Sequence, residues 1–239
     1  MAYQNVFKRY EIKYMLEEEQ KQRLLETMEP YMAPDKYGRT TIRNLYFDTD
    51  DYRLIRRSLE RPVYKEKLRL RSYAQVQPGQ PVFVELKKKY NGVVYKRRLA
   101  MREDLAAAWL SGESCPDESQ IAREIDYVLQ YYSALQPRVF LSYEREAYFD
   151  RQDGEFRITF DENILCRQDR LSLREDPGGL PILDAGKTLM EIKTTGGIPL
   201  WLTQALTRER IFKTAFSKYG KAYQTMILNG GYEYAENTF

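Results

Sequence analysis

Histidine is absent from the 239 residues. That excludes Ser-His-Asp and Cys-His catalysis, histidine general bases and histidine-ligated zinc. Cysteine is scarce: Cys115 and Cys166 stand alone without metal-ligand spacing, which fits a reducing compartment and gives no indication of a disulfide. No apolar run approaches the length of a membrane span, and the N-terminus lacks a signal-peptide pattern, so the expectation is a cytosolic protein or the soluble part of something larger. Charge of one sign is also lacking, since 38 basic residues face 35 acidic ones for a net charge of +3. Any anion site must therefore come from arrangement, not from bulk charge.

What the chain does have is alternation. Lys65, Lys67, Arg69, Arg71 and Tyr73 occupy alternate positions, with Leu68 and Leu70 between them. Val82, Val84 and Leu86 alternate with Phe83, Glu85 and Lys87. Arg9, Glu11 and Lys13 alternate with Tyr10, Ile12 and Tyr14; Arg157, Thr159 and Asp161 with Phe156, Ile158 and Phe160. Glu191 and Lys193 flank Ile192, and Tyr143 shares a face with Arg145. This period of two marks strands with one apolar and one charged face. For a single strand, a charged face in water suffices as an explanation. Repeated in strand after strand, it leaves two arrangements: an open basic sheet, or a barrel with a wet interior filled by an anionic ligand. A dry interior is excluded, because burying so many like charges costs several kcal/mol per ion. A polyphosphate with bound metal suits such a cavity, with cations on the phosphate oxygens and glutamates on the metal.

The chain order predicts an α+β protein. Strands are expected at about Tyr10–Tyr14, Thr41–Phe47, Lys65–Tyr73, Val82–Lys87, Val93–Met101, Leu141–Phe149, Phe156–Phe160 and Leu189–Lys193. Helical spacing follows Glu17–Glu19 and recurs over Glu103–Leu110, Asp117–Tyr132, Leu200–Phe212 and Ser217–Leu228. Asn91-Gly92 and Asp153-Gly154 are hairpin turns, and Asp48–Asp51 reads as a turn or helix cap in preference to a metal site. After Gly230-Gly231 the tail reads as loosely held. No linker is apparent, so one domain over residues 1–239 is expected, with its core at about 7–223. Around Gly186-Lys187-Thr188 the spacing of a phosphate-binding loop fails, because Pro181 stands where a glycine is needed. Thr195-Gly196-Gly197 is a turn.

Taken in order, Arg9-Tyr10-Glu11-Ile12-Lys13-Tyr14, Lys67-Leu68-Arg69-Leu70-Arg71, Val84-Glu85-Leu86-Lys87, Tyr143-Glu144-Arg145, Arg157 before Asp161, Glu191-Ile192-Lys193 and Phe216-Ser217-Lys218 resemble the VTC domain. That is the polyphosphate-polymerase module among the triphosphate tunnel metalloenzymes, related more distantly to the CYTH proteins. The resemblance implies an antiparallel barrel of about eight strands with flanking helices. It implies that Lys13, Arg69, Arg71, Lys87, Arg145 and Arg157 bind phosphate, with Tyr143 beside them and Ser217 and Lys218 contributing from a C-terminal helix. Lys193 shares the face of Glu191 and can bind the same phosphate. One of Lys96, Arg97 and Arg98 supplies a further cation, Lys96 being the position assigned to substrate. Glu191 matches the metal-binding glutamate, with Glu85 and Glu11 as assistants, for Mn2+ or Mg2+. Arg9 stands where CYTH proteins carry a glutamate, and Ala215 where the VTC pattern has lysine. The implied activity is transfer of the ATP terminal phosphate to polyphosphate. Its alternatives are hydrolysis of triphosphate or nucleoside triphosphates, and non-catalytic binding of polyphosphate or inositol phosphates. The expected location is the cytoplasm, or the inner face of a membrane reached through a partner protein. Glutamates interleaved with the cations, together with the small net charge, disfavour nucleic acid.

Overall fold

The computed structural model of the protein describes residues 6–228. The tail after Gly230-Gly231 lies outside the described residues. Ten strands form one antiparallel sheet: β1 (Val6–Glu17), β2 (Met32–Pro34), β3 (Thr40–Asp48), β4 (Tyr64–Ser72), β5 (Pro81–Tyr90), β6 (Val93–Arg102), β7 (Gln136–Asp150), β8 (Arg157–Arg167), β9 (Leu180–Pro181) and β10 (Lys187–Thr194). The helices are α1 (Glu18–Met28), α2 (Arg53–Leu59), α3 (Glu103–Leu110), α4 (Gln120–Tyr132), α5 (Leu200–Arg208) and α6 (Lys218–Tyr223).

The sheet curls on itself. The strands β7, β3, β4, β5, β6, β1, β10 and β8 follow one another by pairing, and β8 pairs back to β7. Those eight make the tunnel; β2 and β9 are short additions beside β7 and β8. A circuit of eight strands encloses a space that side chains can just fill. Alternation decides which side chains those are. On one flank, Leu68, Leu70, Val82, Val84 and Leu86 face outward and pack under Trp109 of α3 and Ile125 and Val128 of α4. On the opposite flank Leu16, Ile158, Phe160, Met190 and Ile192 pack under Leu24 and Met28 of α1 and Leu202 and Leu206 of α5. Apolar rows thus bind helices outside, and the charged rows are left to point inward.

A third cluster sits at one end of the tunnel. Ile42, Tyr46, Leu141, Tyr143 and Leu189 meet Tyr219, Ala222 and Tyr223 of α6, and Tyr46 stacks on Tyr219 at 4.5 Å between ring centroids. At Gly220 of α6 an added Cβ would stand 2.9 Å from Leu59 Cδ2 and 3.2 Å from Ser217 Cβ, so these neighbours would have to shift to admit a larger residue.

Three local features depart from the expectation. The helix begun at Leu200 stops at Arg208, because Arg210 takes a left-handed φ of 53° and the Ile211 amide turns back to the Leu206 carbonyl at 2.8 Å. The chain then runs extended past β1, with the Thr214 amide donating to the Lys13 carbonyl at 2.8 Å. Beyond α6 the expected helix continues only as a π-type turn over Gln224–Leu228. The acidic run at Asp48 does serve as a cap: its Oδ1 accepts from the Leu54 amide at 2.8 Å and its Oδ2 from the Ile55 amide at 3.0 Å, starting α2. Asn91 and Gly92 both have positive φ, 45° and 85°, and turn β5 into β6.

Asp48 also accepts the Tyr219 hydroxyl at 2.8 Å and is fully buried. Replacing it removes the α2 cap and strands a buried hydroxyl. Asp48→Ala is expected to lower stability by about 3 kcal/mol, and Tyr219→Phe by about 1 kcal/mol. Urea unfolding of both variants measures this; equal losses would show that the cap contributes nothing.

Candidate active site

The tunnel contains two charged clusters, and the first is organised by Glu85. Ladder register places Arg69 of β4 and Arg98 of β6 directly on either side of it. Arg69 donates from Nε and Nη2 to Glu85 Oε2 at 2.9 and 2.7 Å. Arg98 donates from Nε to Oε1 at 2.7 Å, with Lys96 Nζ at 3.5 Å from the same oxygen and Arg71 Nε at 3.8 Å from Oε2. Burial raises the Glu85 pKa, but Arg71, Arg69, Lys96 and Arg98 overcome this and hold the carboxyl well below its ordinary range. Neutral acceptors fix the other sides of the forks. Arg69 Nη1 donates to the Tyr46 hydroxyl, Arg71 to Asn44 Oδ1 and the Tyr143 hydroxyl, each at 2.9 Å. Arg98 donates to the Tyr73 hydroxyl at 2.7 Å.

The second cluster surrounds Glu191 and Asp161. Glu191 lies 2.8 Å from Lys193, 3.7 Å from Lys13 and 3.9 Å from Arg145. Asp161 takes a two-pronged contact from Arg145 at 2.6 and 2.7 Å and a third from Lys218 at 2.5 Å. Glu11 accepts from Lys87 at 2.5 Å. Burial acts to raise the pKa of Glu191 and Asp161. For Glu191, Lys193, Lys13 and Lys87 reverse it; for Asp161, Arg145 and Lys218 do, and both stay ionised far below the usual range.

Cations nonetheless outnumber carboxylates here, and some lysines show the strain of it. Burial, with Lys13, Lys87, Lys65 and Arg69 nearby, drives Lys67 well below the ordinary lysine range. Burial, with Arg98, Arg71 and Arg69 outweighing Glu85, pushes Lys96 down to about 6. Ser217, the N-cap of α6, accepts from Lys67 Nζ at 2.9 Å and from the Gly220 amide at 3.1 Å. With two donors already received, its own proton is free to donate to an incoming oxygen.

Most of the expected site residues meet in this interior: Lys13, Arg69, Arg71, Glu85, Lys87, Lys96, Tyr143, Arg145, Glu191, Lys193, Ser217 and Lys218, with Glu11. Arg157 does not join them. It is exposed at the start of β8, where its Nε reaches back to the Gly154 carbonyl at 3.3 Å, so it stands at the rim. Of the three consecutive cations of β6, Lys96 and Arg98 turn inward to Glu85, and Arg97 turns outward to Glu124 of α4 at 3.1 Å. Arg98, Lys67 and Asp161 were readable, because each shares the alternation of an assigned neighbour. Asn44 and Tyr46 were not, since β3 is buried on both faces and shows no polar alternation.

Glu85, expected beside a metal, has both oxygens engaged by guanidinium groups at zero exposure. Among the described residues no group of three or more carboxylate or thiol side chains converges as a metal cage. Glu191 and Glu11 do lie near enough for each to feel the other's charge, and Glu191 is ionised. This pair fits a hard divalent ion that takes its remaining ligands from phosphate oxygens and water.

A curled eight-strand antiparallel tunnel, lined by cations in excess over carboxylates and covered at one end by a helix, defines a protein of the triphosphate tunnel class. A putative-cyclase structure from Bacillus halodurans, described only as a candidate adenylate cyclase, shares the fold at a TM-score of 0.56 and 15% identity, covering 90% of this chain and 96% of its own. The mimivirus capping enzyme triphosphatase aligns more loosely, at a TM-score of 0.39 and 9% identity over 85% of this chain and 88% of that one. No curated protein matches. The family model for the VTC domain matches residues 8–227, and the chain belongs to that family.

Two measurements test the electrostatics. Glu85→Gln leaves Arg69, Arg71 and Arg98 without their shared counter-charge and should cost about 3–5 kcal/mol; excess tripolyphosphate should restore most of it. Thermal unfolding with and without tripolyphosphate reads this, and a loss that the polyanion does not relieve would count against the clamp. The lowered Lys96 pKa gives a pH signature. Between about 6 and the ordinary 10.5 the unfolded chain holds a proton that the folded one does not, so stability attributable to Lys96 rises with pH across that window. Lys96→Met should flatten the rise by up to about 1.4 kcal/mol per pH unit, measured as the difference between urea-unfolding profiles of the two proteins.

Proposed function

We propose that the protein is a metal-dependent polyphosphate polymerase that transfers the terminal phosphate of ATP to a polyphosphate chain inside the tunnel. The observation that carries this reading is the interior itself: arginine forks held in place by neutral acceptors, surplus buried lysines, and an ionised Glu191, in a chain that belongs to the VTC-domain family. Phosphoryl transfer suits a site without histidine, since the protein's task is to position groups and stabilise charge. The acceptor is already an anionic phosphate and needs no strong base.

Each part of the lining has a role in this scheme. Arg69, Arg71 and Arg98 offer planar forks to non-bridging phosphate oxygens. Lys87, Lys13 and Lys193 surround Glu191 and offset the repulsion between donor and acceptor phosphates. Arg145 and Lys218, preset by Asp161, point-charge the same region, and the free Ser217 proton donates from α6. Arg157 at the rim meets the chain as it enters. Mn2+ or Mg2+, held by Glu191 with Glu11, would neutralise charge on the transferred group and leaving diphosphate.

Triphosphate hydrolysis is the second reading, and the covering of one tunnel end by α6 favours it, because a short substrate needs only one mouth. Incubation with ATP and Mn2+ followed by product analysis separates the two. Polyphosphate with ADP is expected; free phosphate alone would establish the hydrolase, and neither product would leave a binding module. Glu191→Gln should lower metal-dependent turnover at least about 100-fold and keep tripolyphosphate binding within about ten-fold of the unaltered protein. Undiminished turnover in that variant would remove Glu191 from the metal.

A further inference from the structure

Outside the tunnel, three polar side chains stand in one row across the sheet. Ser72 of β4, Arg43 of β3 and Ser142 of β7 are directly opposed in register. Alternation puts them on the outer face: the next row out of phase by two, Leu70, Leu45 and Phe140, belongs to the helix-covered core, and the adjoining residues Arg71, Asn44 and Tyr143, one position along each strand, face the tunnel. All three are more than nine-tenths buried, with exposures of 4%, 7% and 1%. Arg43 Nε and the hydroxyls of Ser72 and Ser142 have no hydrogen-bond partner among the described residues, and Arg43 forms no ion pair there.

Such an arrangement is costly as it stands, because a buried guanidinium without a counter-charge forfeits its hydration. Burial depresses the Arg43 pKa, and the Asp176 charge on the segment covering this row opposes that only in part. Arg167, close enough to repel Arg43, adds further positive field. It pins the covering segment by donating to the Asp176 carbonyl at 2.8 Å and the Arg170 carbonyl at 3.2 Å. The row is therefore a set of buried donors, unpaired among the described residues, beside a segment that Arg167 holds in place.

We propose that Arg43, Ser72 and Ser142 form a binding site for one small tetrahedral oxyanion of the orthophosphate type, on the outside of the barrel and separate from the tunnel. A ligand with several acceptor oxygens matches three donors, and its charge matches the guanidinium. The donors spread over two strand spacings of about 4.8 Å each, which suits an anion with divergent oxygens better than a single-atom halide. One guanidinium and two hydroxyls supply charge and donors for a single phosphate-sized group and not for a longer chain.

Crystals of the full chain soaked in arsenate, an orthophosphate analogue with an anomalous signal, test this. An anomalous peak beside Arg43 Nε is expected in addition to any in the tunnel; peaks confined to the tunnel, with only ordered water at Arg43, would overturn the proposal. The unaltered protein decides this even where variants fail to fold. In solution, Ser72→Ala with Ser142→Ala should weaken one class of orthophosphate site at least about ten-fold while tripolyphosphate binding in the tunnel stays unchanged; two undiminished classes would overturn it. Tripolyphosphate competition identifies the source. Displacement of arsenate from the tunnel alone marks free orthophosphate-sized anions as the ligand, and displacement from both would overturn the limit to a single group.

Discussion

Charge neutralisation by Glu85 is the constraint on which the tunnel depends. Three arginines and Lys96, from the two strands that flank β5, approach one carboxylate that has no contact with solvent. Bringing such like charges together without it costs several kcal/mol per ion. The arrangement also fixes direction: Arg69 and Arg98 grip opposite oxygens, so their remaining N–H groups go to Tyr46 and Tyr73. A guanidinium held on all but one side presents little conformational entropy to a ligand. Under the proposed function the carboxylate would act as a placeholder for phosphate, setting the forks before substrate arrives.

The second cluster is built differently. Around Asp161 the pairing is complete, since Arg145 and Lys218 both reach it, but Glu191 and Glu11 share Lys13, Lys87 and Lys193 at mixed distances. A looser set of pairs can be rearranged by an incoming anion or cation, whereas the Glu85 clamp resists. The surplus positive charge appears as lowered lysine pKa values, at Lys67 and Lys96, and not as unpaired ammonium groups. A polyanion entering the tunnel would reverse that shift by supplying the missing negative charge, which would link its binding to proton uptake.

Much of this was legible in the sequence because antiparallel strands advertise their faces. Where one face is apolar, as in β4, β5 and β10, period-two alternation assigns every interior charge. It fails in two ways. β3 is buried on both sides, between the sheet interior and the α3–α4 layer, so Asn44 and Tyr46 look like core. At strand ends alternation still gives the face but not the depth, which is how Arg157 shares the side of Asp161 yet lies exposed at the rim. Pairing is the other hidden variable: Glu85 reads as a ligand for metal until the register shows arginines on both flanks. The end of α5 was hidden too, because Arg210 adopts a left-handed conformation with no glycine to signal it.

The C-terminal helix connects the outer scaffold to this chemistry through contacts that can be traced atom by atom. Asp48, which starts α2, accepts the Tyr219 hydroxyl; the Tyr219 ring stacks on Tyr46; and Tyr46 accepts from Arg69, which grips Glu85. One residue before α6, Ser217 accepts from Lys67, and the first residue of α6, Lys218, reaches Asp161. The position of α6 therefore sets groups in both clusters at once. Because packed aromatic rings and buried hydrogen bonds resist gradual deformation, withdrawing α6 would release Arg69, Lys67 and Asp161 together. In this fold the element that covers the tunnel also holds its lining in place.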